Sequence, residues 1–400
     1  MFHKFLEKFC SPNTISPYKF QIFNSVVEFE NNYFKQEIPF YFQVSYLKIL
    51  EKNNAQTLDF KYLMIFENNI PKGILLLQIV DVDIKTMMNN YTKNFCFIGG
   101  LGFTLSRFKT KSKLKVLVAG NCFLSGHYGQ YFENDTIASN VFEMLGDCLE
   151  DFADEIKNVD LVVLKDLKQQ WHFAEGLMAE NQFNTIQSEP VMILDLDKNW
   201  TSFNDYLSSL KTKFRTKAKS ALSRSQYLTS KELNVEEIAE NLSKMKVLYG
   251  NVESNASFNI CALNLDTYYQ FKKELGQNFI IKAYYLNNEM VGFLTAMLQE
   301  NSLDAHFVGI DYNFNKEHAI YQRMLYDYID LGISQKVNSI NFGRTATEIK
   351  STVGAKPYLL PSYIKHKSKI TNKLLRPIFK SVQADLSSLR MPFKELEVKV

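Results

Sequence analysis

One short segment of the sequence gathers three side-chain types with useful chemistry. Residues 343–350 read Gly-Arg-Thr-Ala-Thr-Glu-Ile-Lys and follow a predicted strand over 339–342. Ligands of open α/β sheets collect at the carboxyl ends of strands. An arginine there can bind a phosphate or a carboxylate, and a glutamate can accept a proton or bind an ammonium group. We therefore predict a site whose candidate residues are Gly343, Arg344, Glu348 and Lys350. The alternative is that these polar residues only cap and begin a helix.

A second candidate is His306, in the middle of a strand predicted over 304–310. Asp304, His306 and Val308 alternate along this strand, so we expect them to share one face. Histidine changes its charge near neutral pH, which makes His306 a candidate general base. A histidine hydrogen-bonded within the sheet is the alternative. Tyr321, on the helix predicted to follow, is a candidate proton donor.

A glycine-containing loop over 120–129 follows another predicted strand. Its three glycines and one asparagine can bring backbone close to a ligand. Asn121 and His127 are its candidate binding residues. A purely structural loop is the alternative interpretation.

A basic segment over 206–224 has apolar residues at helical spacing, which predicts a helix. It carries six cations and no carboxylate. Such a face can dock an acidic carrier protein or lie on anionic lipid headgroups, and a solvated charged face is the alternative. Arg215 and Lys217 are its candidate donor-binding residues.

A second basic stretch lies near the end of the chain. Residues 365–380 contain no carboxylate, and their cations are interleaved with apolar residues. This pattern is typical of a short amphipathic segment at a membrane surface. It predicts peripheral contact with an anionic membrane and favours a lipid-like or long-chain acyl substrate.

The elements that would position these residues occur twice, in the same order. Each copy begins with two β-favouring runs separated by turn formers and continues with a strand, a helix and a further strand. The predicted members are 62–66, 74–80, 114–118, 137–156 and 159–164 in the first copy, and 281–286, 293–298, 304–310, 319–334 and 339–342 in the second. We predict an internal duplication. Chance recurrence in an α/β protein is the alternative.

Composition and charge exclude several classes of protein. The chain has 400 residues, from which we predict two domains, and a net charge of +3, which offers no overall field for DNA. Five scattered cysteines without a CxxC pair predict no metal site, no disulfide framework and a reducing compartment. The N-terminus does not resemble a signal peptide, and the apolar runs are far shorter than the roughly 20 residues that span a bilayer. These features predict a cytoplasmic protein.

Residues 201–364, about two fifths of the chain, resemble the GNAT-related family that includes the BioF2-like acetyltransferase domain and the FemAB-type peptidoglycan aminoacyl transferases. The resemblance lies in the order of features. These are a Lys/Arg-rich helix, two further helices, a long hairpin containing Asn287 and Asn288, a strand ending in Gly309-Ile310-Asp311, a helix, and the segment 342–355.

The resemblance implies a fold and an activity. The expected class is α/β (α+β), with two tandem GNAT-like domains, each a mixed, mainly antiparallel sheet flanked by helices. The expected division is a degenerate copy over 1–200, an acyltransferase domain over 201–364 and a basic tail over 365–400. The implied activity is transfer of an acyl group from a thioester to an amine, with small molecules and amino lipids as candidate acceptors.

The donor is where the sequence departs from the family pattern. GNAT enzymes that use acetyl-CoA place a Gly-rich turn between the fourth strand and the next helix, where backbone N–H groups bind the pyrophosphate. Residues 311–318 contain no glycine. We expect acyl-CoA or an acylated carrier protein as co-substrate, with Asp311 beside it, and no permanently bound cofactor.

Two other functions stay open at this point. One is a FemAB-like transferase that uses aminoacyl-tRNA and a cell-wall precursor, although the long coiled-coil arm of such enzymes has no counterpart here as a heptad run. The other is a non-catalytic binding module with the GNAT fold.

Overall fold

The computed structural model describes residues 17–83 apart from 30–33, 35 and 36, then 113–187, 189–255, 261–381 and 386–394. The chain divides into two compact units. The first comprises Met1–Ser188, Ser257–Leu263 and Leu359–Ala384, and the second comprises Glu189–Ala256, Asn264–Tyr358 and Asp385–Val400.

The first unit is built around one sheet. Its elements up to residue 188 are β1 (Tyr18–Phe23), α1 (Val44–Asn54), β2 (Asp59–Glu67), β3 (Ile70–Asp83), β4 (Lys113–Ala119), β5 (Gln130–Phe132), α2 (Asp135–Glu155), β6 (Val159–Leu164), α3 (Phe173–Glu180) and β7 (Asn184–Ile186). Leucine, isoleucine and valine dominate β3, and Leu75, Leu77 and Ile79 form an apolar core with the inner face of α2. The long, nearly continuous apolar run suits a strand that is buried on both faces.

The second unit has its own sheet. Its elements are β8 (Val191–Asp195), α4 (Phe203–Ser209), α5 (Thr212–Arg224), β9 (Thr229–Glu232), α6 (Val235–Asn255), α7 (Asp266–Leu275), β10 (Phe279–Leu286), β11 (Glu289–Leu298), β12 (Ser302–Ile310), α8 (Tyr312–His318), α9 (Ile320–Ser334), β13 (Ser339–Asn341), α10 (Thr347–Thr352) and β14 (Lys356–Tyr358). Among the described residues the strand order is β14-β8-β13-β12-β11-β10-β9.

The predicted internal repeat is confirmed. In the first unit the antiparallel hairpin β2–β3 is followed by the antiparallel strand β4, the helix α2 and the strand β6, which is parallel to β4. In the second unit the hairpin β10–β11 is followed in the same way by β12, the helix α9 and β13, which is parallel to β12. Both hairpins also turn on two asparagines with positive φ, Asn68–Asn69 and Asn287–Asn288. Asparagine tolerates this conformation better than most residues, and tight hairpins require it. The predicted fold class, two mixed and mainly antiparallel sheets flanked by helices, is therefore observed.

The helix predicted over 206–224 is instead two helices, α4 and α5. Leu210 and Lys211 between them have extended backbone. Leu210 pairs in an isolated β-bridge with Phe393, and the Lys211 N–H donates to the Pro392 carbonyl at 2.8 Å. Backbone groups that would continue the helix are thus bonded to residues 386–394, which we call the C-terminal strap.

The predicted boundaries at 200 and 364 differ from the division in the structure. The second unit begins at Glu189, just before β8, and the chain returns to the first unit as β15 (Ser362–His366) and α11 (Lys369–Ser381). Every residue of β15 is buried, and β15 pairs with both β6 and β7. The described order in this sheet is therefore β1-β2-β3-β4-β6-β15-β7, with β5 pairing on β3.

The helices are short or amphipathic. Within the described ranges, none is both long enough and apolar enough to cross a membrane.

Candidate functional site

The parallel strands β12 and β13 diverge at their carboxyl ends. They pair only over Ser302–Asp304 and Ser339–Asn341, and β12 continues to Ile310. In the first unit the equivalent strands β4 and β6 stay together, because Ala119 pairs with Leu164 and its carbonyl also accepts from the Lys165 N–H. The second unit therefore has an opening at the carboxyl ends of these two strands, which is where ligands of such sheets bind.

A cavity of about 470 Å³ lies at the carboxyl end of β13. It is lined by residues from α5, α9 and α10 and from the turn before α10. They are Phe214, Lys217, Gln322, Tyr326, Ala346, Thr347, Glu348, Ile349 and Thr352. Two predicted site residues that are far apart in sequence, Lys217 and Glu348, thus face one space of the size typical for ligand pockets.

The turn between β13 and α10 has unusual backbone geometry. Gly343, Thr345 and Ala346 all have positive φ, at 69°, 64° and 48°. Left-handed backbone at a residue with a side chain costs roughly 1–3 kcal/mol and is concentrated at functional sites. The turn persists because its groups are bonded: the Gly343 N–H donates to Asn341 Oδ1 at 2.8 Å, and the Gly343 carbonyl accepts from the Met192 N–H at 3.0 Å.

Lys350 fixes the same turn from inside the protein. Its side chain is buried, and Nζ donates to the Arg344 carbonyl at 2.6 Å and to the Gly343 carbonyl at 3.4 Å. Burial lowers the pKa of Lys350 from 10.5 to about 7, and the carboxylate of Glu189 opposes this shift. Arg344 Nε donates to the Glu189 carbonyl at 2.7 Å. Both predicted binding residues therefore also support the turn that presents Glu348.

Glu348 stands at the mouth of the cavity and is 56% exposed. Its carboxylate is 2.7 Å from a guanidinium nitrogen of Arg390 on the C-terminal strap. The Arg390 N–H donates to Ser351 Oγ, which holds the strap against α10. An exposed ion pair of this kind contributes only about 0–1 kcal/mol, so an incoming ammonium group can replace Arg390 at little cost.

Tyr326 and Gln322 add further polar groups to the lining. Burial raises the pKa of Tyr326 to about 12, so its phenol stays protonated and can donate a hydrogen bond. Gln322 Oε1 accepts from Arg224 of α5 at 2.9 Å. Sequence reasoning missed Tyr326 and Arg390. Helical spacing from Gln322 could have placed Tyr326 on the cavity face of α9, but nothing in the sequence indicates the strap contact.

His306 lies elsewhere in the second unit. Its ring packs against Tyr268 and Phe271 of α7 and against Phe279, with ring centroids 6.3–6.4 Å away. The cavity-lining helices α5 and α9 pack on a different cluster, which includes Ala305 and Val308.

A β-bulge explains why the predicted face is wrong. The pairing of β12 with β11 shifts between Leu294 and Ala296, so Val308 does not follow the alternation of Asp304 and His306. Burial lowers the pKa of His306 to about 3. Neither ring nitrogen has a hydrogen-bond partner among the described residues. His306 is therefore neutral at physiological pH and is not part of the cavity.

Three further predicted residues of the second unit, Tyr321, Asp311 and Arg215, are not among the residues that line the cavity. Tyr321 is half-buried on α9, and burial raises its pKa. Asp311 caps α8, where its carboxylate accepts from the Asn313 N–H at 3.0 Å. Residues 311–318, where a Gly-rich turn would be expected, form this short helix. Arg215 is half-buried on α5.

In the first unit, the loop after β4 is tightly packed. A Cβ added at Gly129 would lie 2.3 Å from the Cα of Gly120, which explains the glycine there. Asn121 is buried, and its Oδ1 accepts from the Phe123 N–H. His127 is exposed and stacks on Tyr128. These contacts favour the structural interpretation of the loop.

Within the regions that the structure describes, no group of three or more His, Cys, Asp or Glu residues is placed to hold a metal ion.

We compared this chain with known proteins by sequence and by structure. No protein-family model matches the chain, and no curated protein matches it in sequence. The solved structure of FemX is 11% identical, with a TM-score of 0.51 over 89% of this chain and 100% of that chain. This chain has the fold of FemX.

Two other solved structures are similar at lower scores. A tandem GNAT protein from the clavulanic acid biosynthesis pathway is 8% identical, with a TM-score of 0.48 over 88% of this chain and 99% of that chain. L-PGS from Bacillus licheniformis is 12% identical, with a TM-score of 0.45 over 86% and 99%. At these identities and scores the likeness concerns the fold alone.

Proposed function

We propose that this chain is an N-acyltransferase that moves an acyl group from a thioester donor to an amine in the cavity of the second unit. The observation that carries the proposal is the meeting of Lys217 and Glu348 in one cavity at the end of β13. This reaction requires a cation that can hold the phosphate of the donor, as Lys217 can. It also requires a carboxylate that can accept a proton, as Glu348 can.

The reaction forms a C–N bond and breaks a C–S bond. The neutral amine attacks the thioester carbonyl, and the tetrahedral intermediate collapses with loss of the thiolate. Glu348 accepts the proton that the nitrogen releases. The phenol of Tyr326 donates a hydrogen bond to the departing sulfur. The net proton transfer runs from the amine to the thiolate, through Glu348 and water.

The donor arm lies along α5 in this proposal. Lys217 is exposed on α5 and lines the cavity. Acyl-CoA and acylated carrier protein share a phosphopantetheine arm, so both offer Lys217 a phosphate. Because α8 takes the place of a Gly-rich turn, side-chain cations of α5 provide the anion site instead of backbone N–H groups.

Replacing Lys217 with Met should raise the KM for the thioester donor about 10-fold with little change in kcat, because a phosphate contact made equally in ground and transition states affects binding alone. Steady-state kinetics on the donor measures this effect. Lys219→Met is the matched control, since Lys219 is exposed on the same helix outside the cavity lining. Equal KM changes in both variants would contradict a specific phosphate site at Lys217.

The proposal is tested by offering the full-length protein a panel of acyl-CoAs and acylated carrier proteins together with mixed cellular amines, and by measuring free thiol. We expect thiol release that requires both the donor and the amine. Absence of release with every thioester would contradict the proposal.

A second candidate function, transfer from aminoacyl-tRNA, is favoured by one observation. Lys213, Lys217 and Lys219 are exposed on α5, and Lys211 is exposed directly before it. None of the four makes an ion pair within the described residues. Such a row can bind nucleic-acid phosphates, with affinity that falls steeply as salt rises. Tight, salt-sensitive tRNA binding without thioester turnover would support this candidate over the first.

A further inference from the structure

The helix α11 of the first unit has one face that packs on the protein and one that does not. On the inner face, Asn372 is buried, and its Oδ1 accepts from the His366 N–H at 3.0 Å while its Nδ2 donates to the Gln182 carbonyl at 2.9 Å. Phe379 is also buried. These contacts fix the orientation of the helix, and so they also determine which residues point to solvent.

The outer face carries two parallel rows. Ile370, Leu374 and Pro377 form an apolar row at the i, i+4 and i+7 positions of a helix. Ile370 is 76% exposed and Leu374 is 49% exposed. Large apolar side chains with this much exposure, aligned on one face, indicate a surface that another apolar phase covers.

A basic row runs beside the apolar row. Its members are Lys369, Lys373, Arg376 and Lys380. All four are exposed, and the helix contains no carboxylate. Within the described residues, none of the four forms an ion pair, whereas the preceding Lys365 and Lys367 pair with Glu150 and Asp154 of α2. The cations of the outer face therefore remain available to an external anion.

We propose that α11 binds the surface of an anionic lipid bilayer. Ile370 and Leu374 enter the boundary between headgroups and acyl chains, while the long basic side chains extend to the lipid phosphates. A nucleic acid would use the cations and leave the apolar row in water. An acidic protein would need an apolar groove as well as its charge. A bilayer supplies both chemistries along the whole length of the helix, and α11 is too short to cross it.

Vesicle sedimentation with the full-length protein tests this proposal. The probes are vesicles of equal parts phosphatidylglycerol and phosphatidylcholine, and vesicles of phosphatidylcholine alone. We expect binding to the anionic vesicles that weakens as salt rises from about 0.05 M to about 0.5 M, because salt screens charges outside the protein. Each cation near an anionic surface changes partitioning about fivefold, so Lys373→Glu with Arg376→Glu should reduce binding at least about 25-fold.

The matched control reverses two exposed lysines of the same unit, Lys52→Glu with Lys157→Glu, and produces the same change in net charge. This variant should keep its binding. Ile370→Ser with Leu374→Ser should weaken binding at both salt concentrations, since it removes the apolar contribution.

Three results would overturn the proposal. They are no binding of the wild-type protein to anionic vesicles at low salt, equal losses in the control and α11 charge variants, or binding that is insensitive to the two serine substitutions. The last result would mean that the apolar row does not enter the bilayer. The assay measures binding without turnover, so its outcome is independent of the proposed acyl transfer.

Discussion

Glu348→Gln should lower kcat for thiol release by about 10²–10⁴-fold, the range expected for loss of a general base. The substitution keeps the size of the side chain and removes its ability to take the amine proton. The fold should be unaffected, because Glu348 is 56% exposed and its ion pair with Arg390 contributes little. Steady-state turnover at saturating donor and amine measures the effect, and thermal unfolding of the same sample checks the fold.

Two further variants separate catalysis from packing of the strap. Glu300→Gln makes the same chemical change at an exposed glutamate of the second unit and should leave turnover unchanged. Arg390→Met breaks the ion pair while keeping the carboxylate, so it should retain most of the activity. If Arg390→Met were as damaging as Glu348→Gln, the pair would act through structure. If Glu348→Gln turned over at the wild-type rate, Glu348 would not be the base.

Local patterns were enough to predict the repeated elements of the fold. The hairpins follow from apolar runs on either side of paired asparagines, whose positive φ values make the turn. The helix α2 follows from apolar residues at helical spacing, and Asn134 caps its start as its residue type suggests. Each of these signals lies within about twenty residues, where sequence periodicity is informative.

Long-range pairing was not predictable in the same way. Ser362–His366 looks like the end of the second copy in sequence, yet its buried strand pairs with β6 and β7 of the first unit. The break between α4 and α5 depends on Pro392 and Phe393, which bond a segment far away in the chain. Such partners are selected by tertiary packing, which overrides helix propensity in the segment itself.

The same contrast between local patterns and tertiary packing applies to the candidate site. The turn after β13 was recognisable because three polar residue types follow a strand, and Lys217 stood out in a helix without carboxylates. His306 was misplaced because one β-bulge reverses the face of a strand, and a bulge has no signal in the alternation itself. Tyr326 escaped notice because its role depends on which face of α9 meets α5 and α10.

Lys350→Met should change how stability depends on pH. Burial lowers the pKa of Lys350 to about 7 in the folded protein, whereas the unfolded chain keeps the ordinary value of 10.5. Between these two values the unfolded chain binds more protons than the folded protein does. The contribution of Lys350 to the free energy of unfolding of the wild type therefore rises with pH from about 7 to about 10. The full penalty of the buried charge is present below pH 7.

Methionine at position 350 keeps an unbranched side chain but cannot titrate, and it gives up the hydrogen bonds to the carbonyls of Gly343 and Arg344. Relative to the wild type, the variant should therefore be most stable near pH 6 and should lose on the order of 4 kcal/mol of that relative stability by about pH 10. Urea unfolding of both proteins at several pH values measures the difference.

Lys365, whose pKa burial lowers to about 8, is present in both proteins, so its contribution to the pH dependence cancels in the comparison. Lys198→Met, at an exposed lysine of the same unit, controls for the loss of one charge. A constant difference between wild type and Lys350→Met across this range would mean that Lys350 is not held as a buried, proton-releasing amine beneath the turn that carries Glu348.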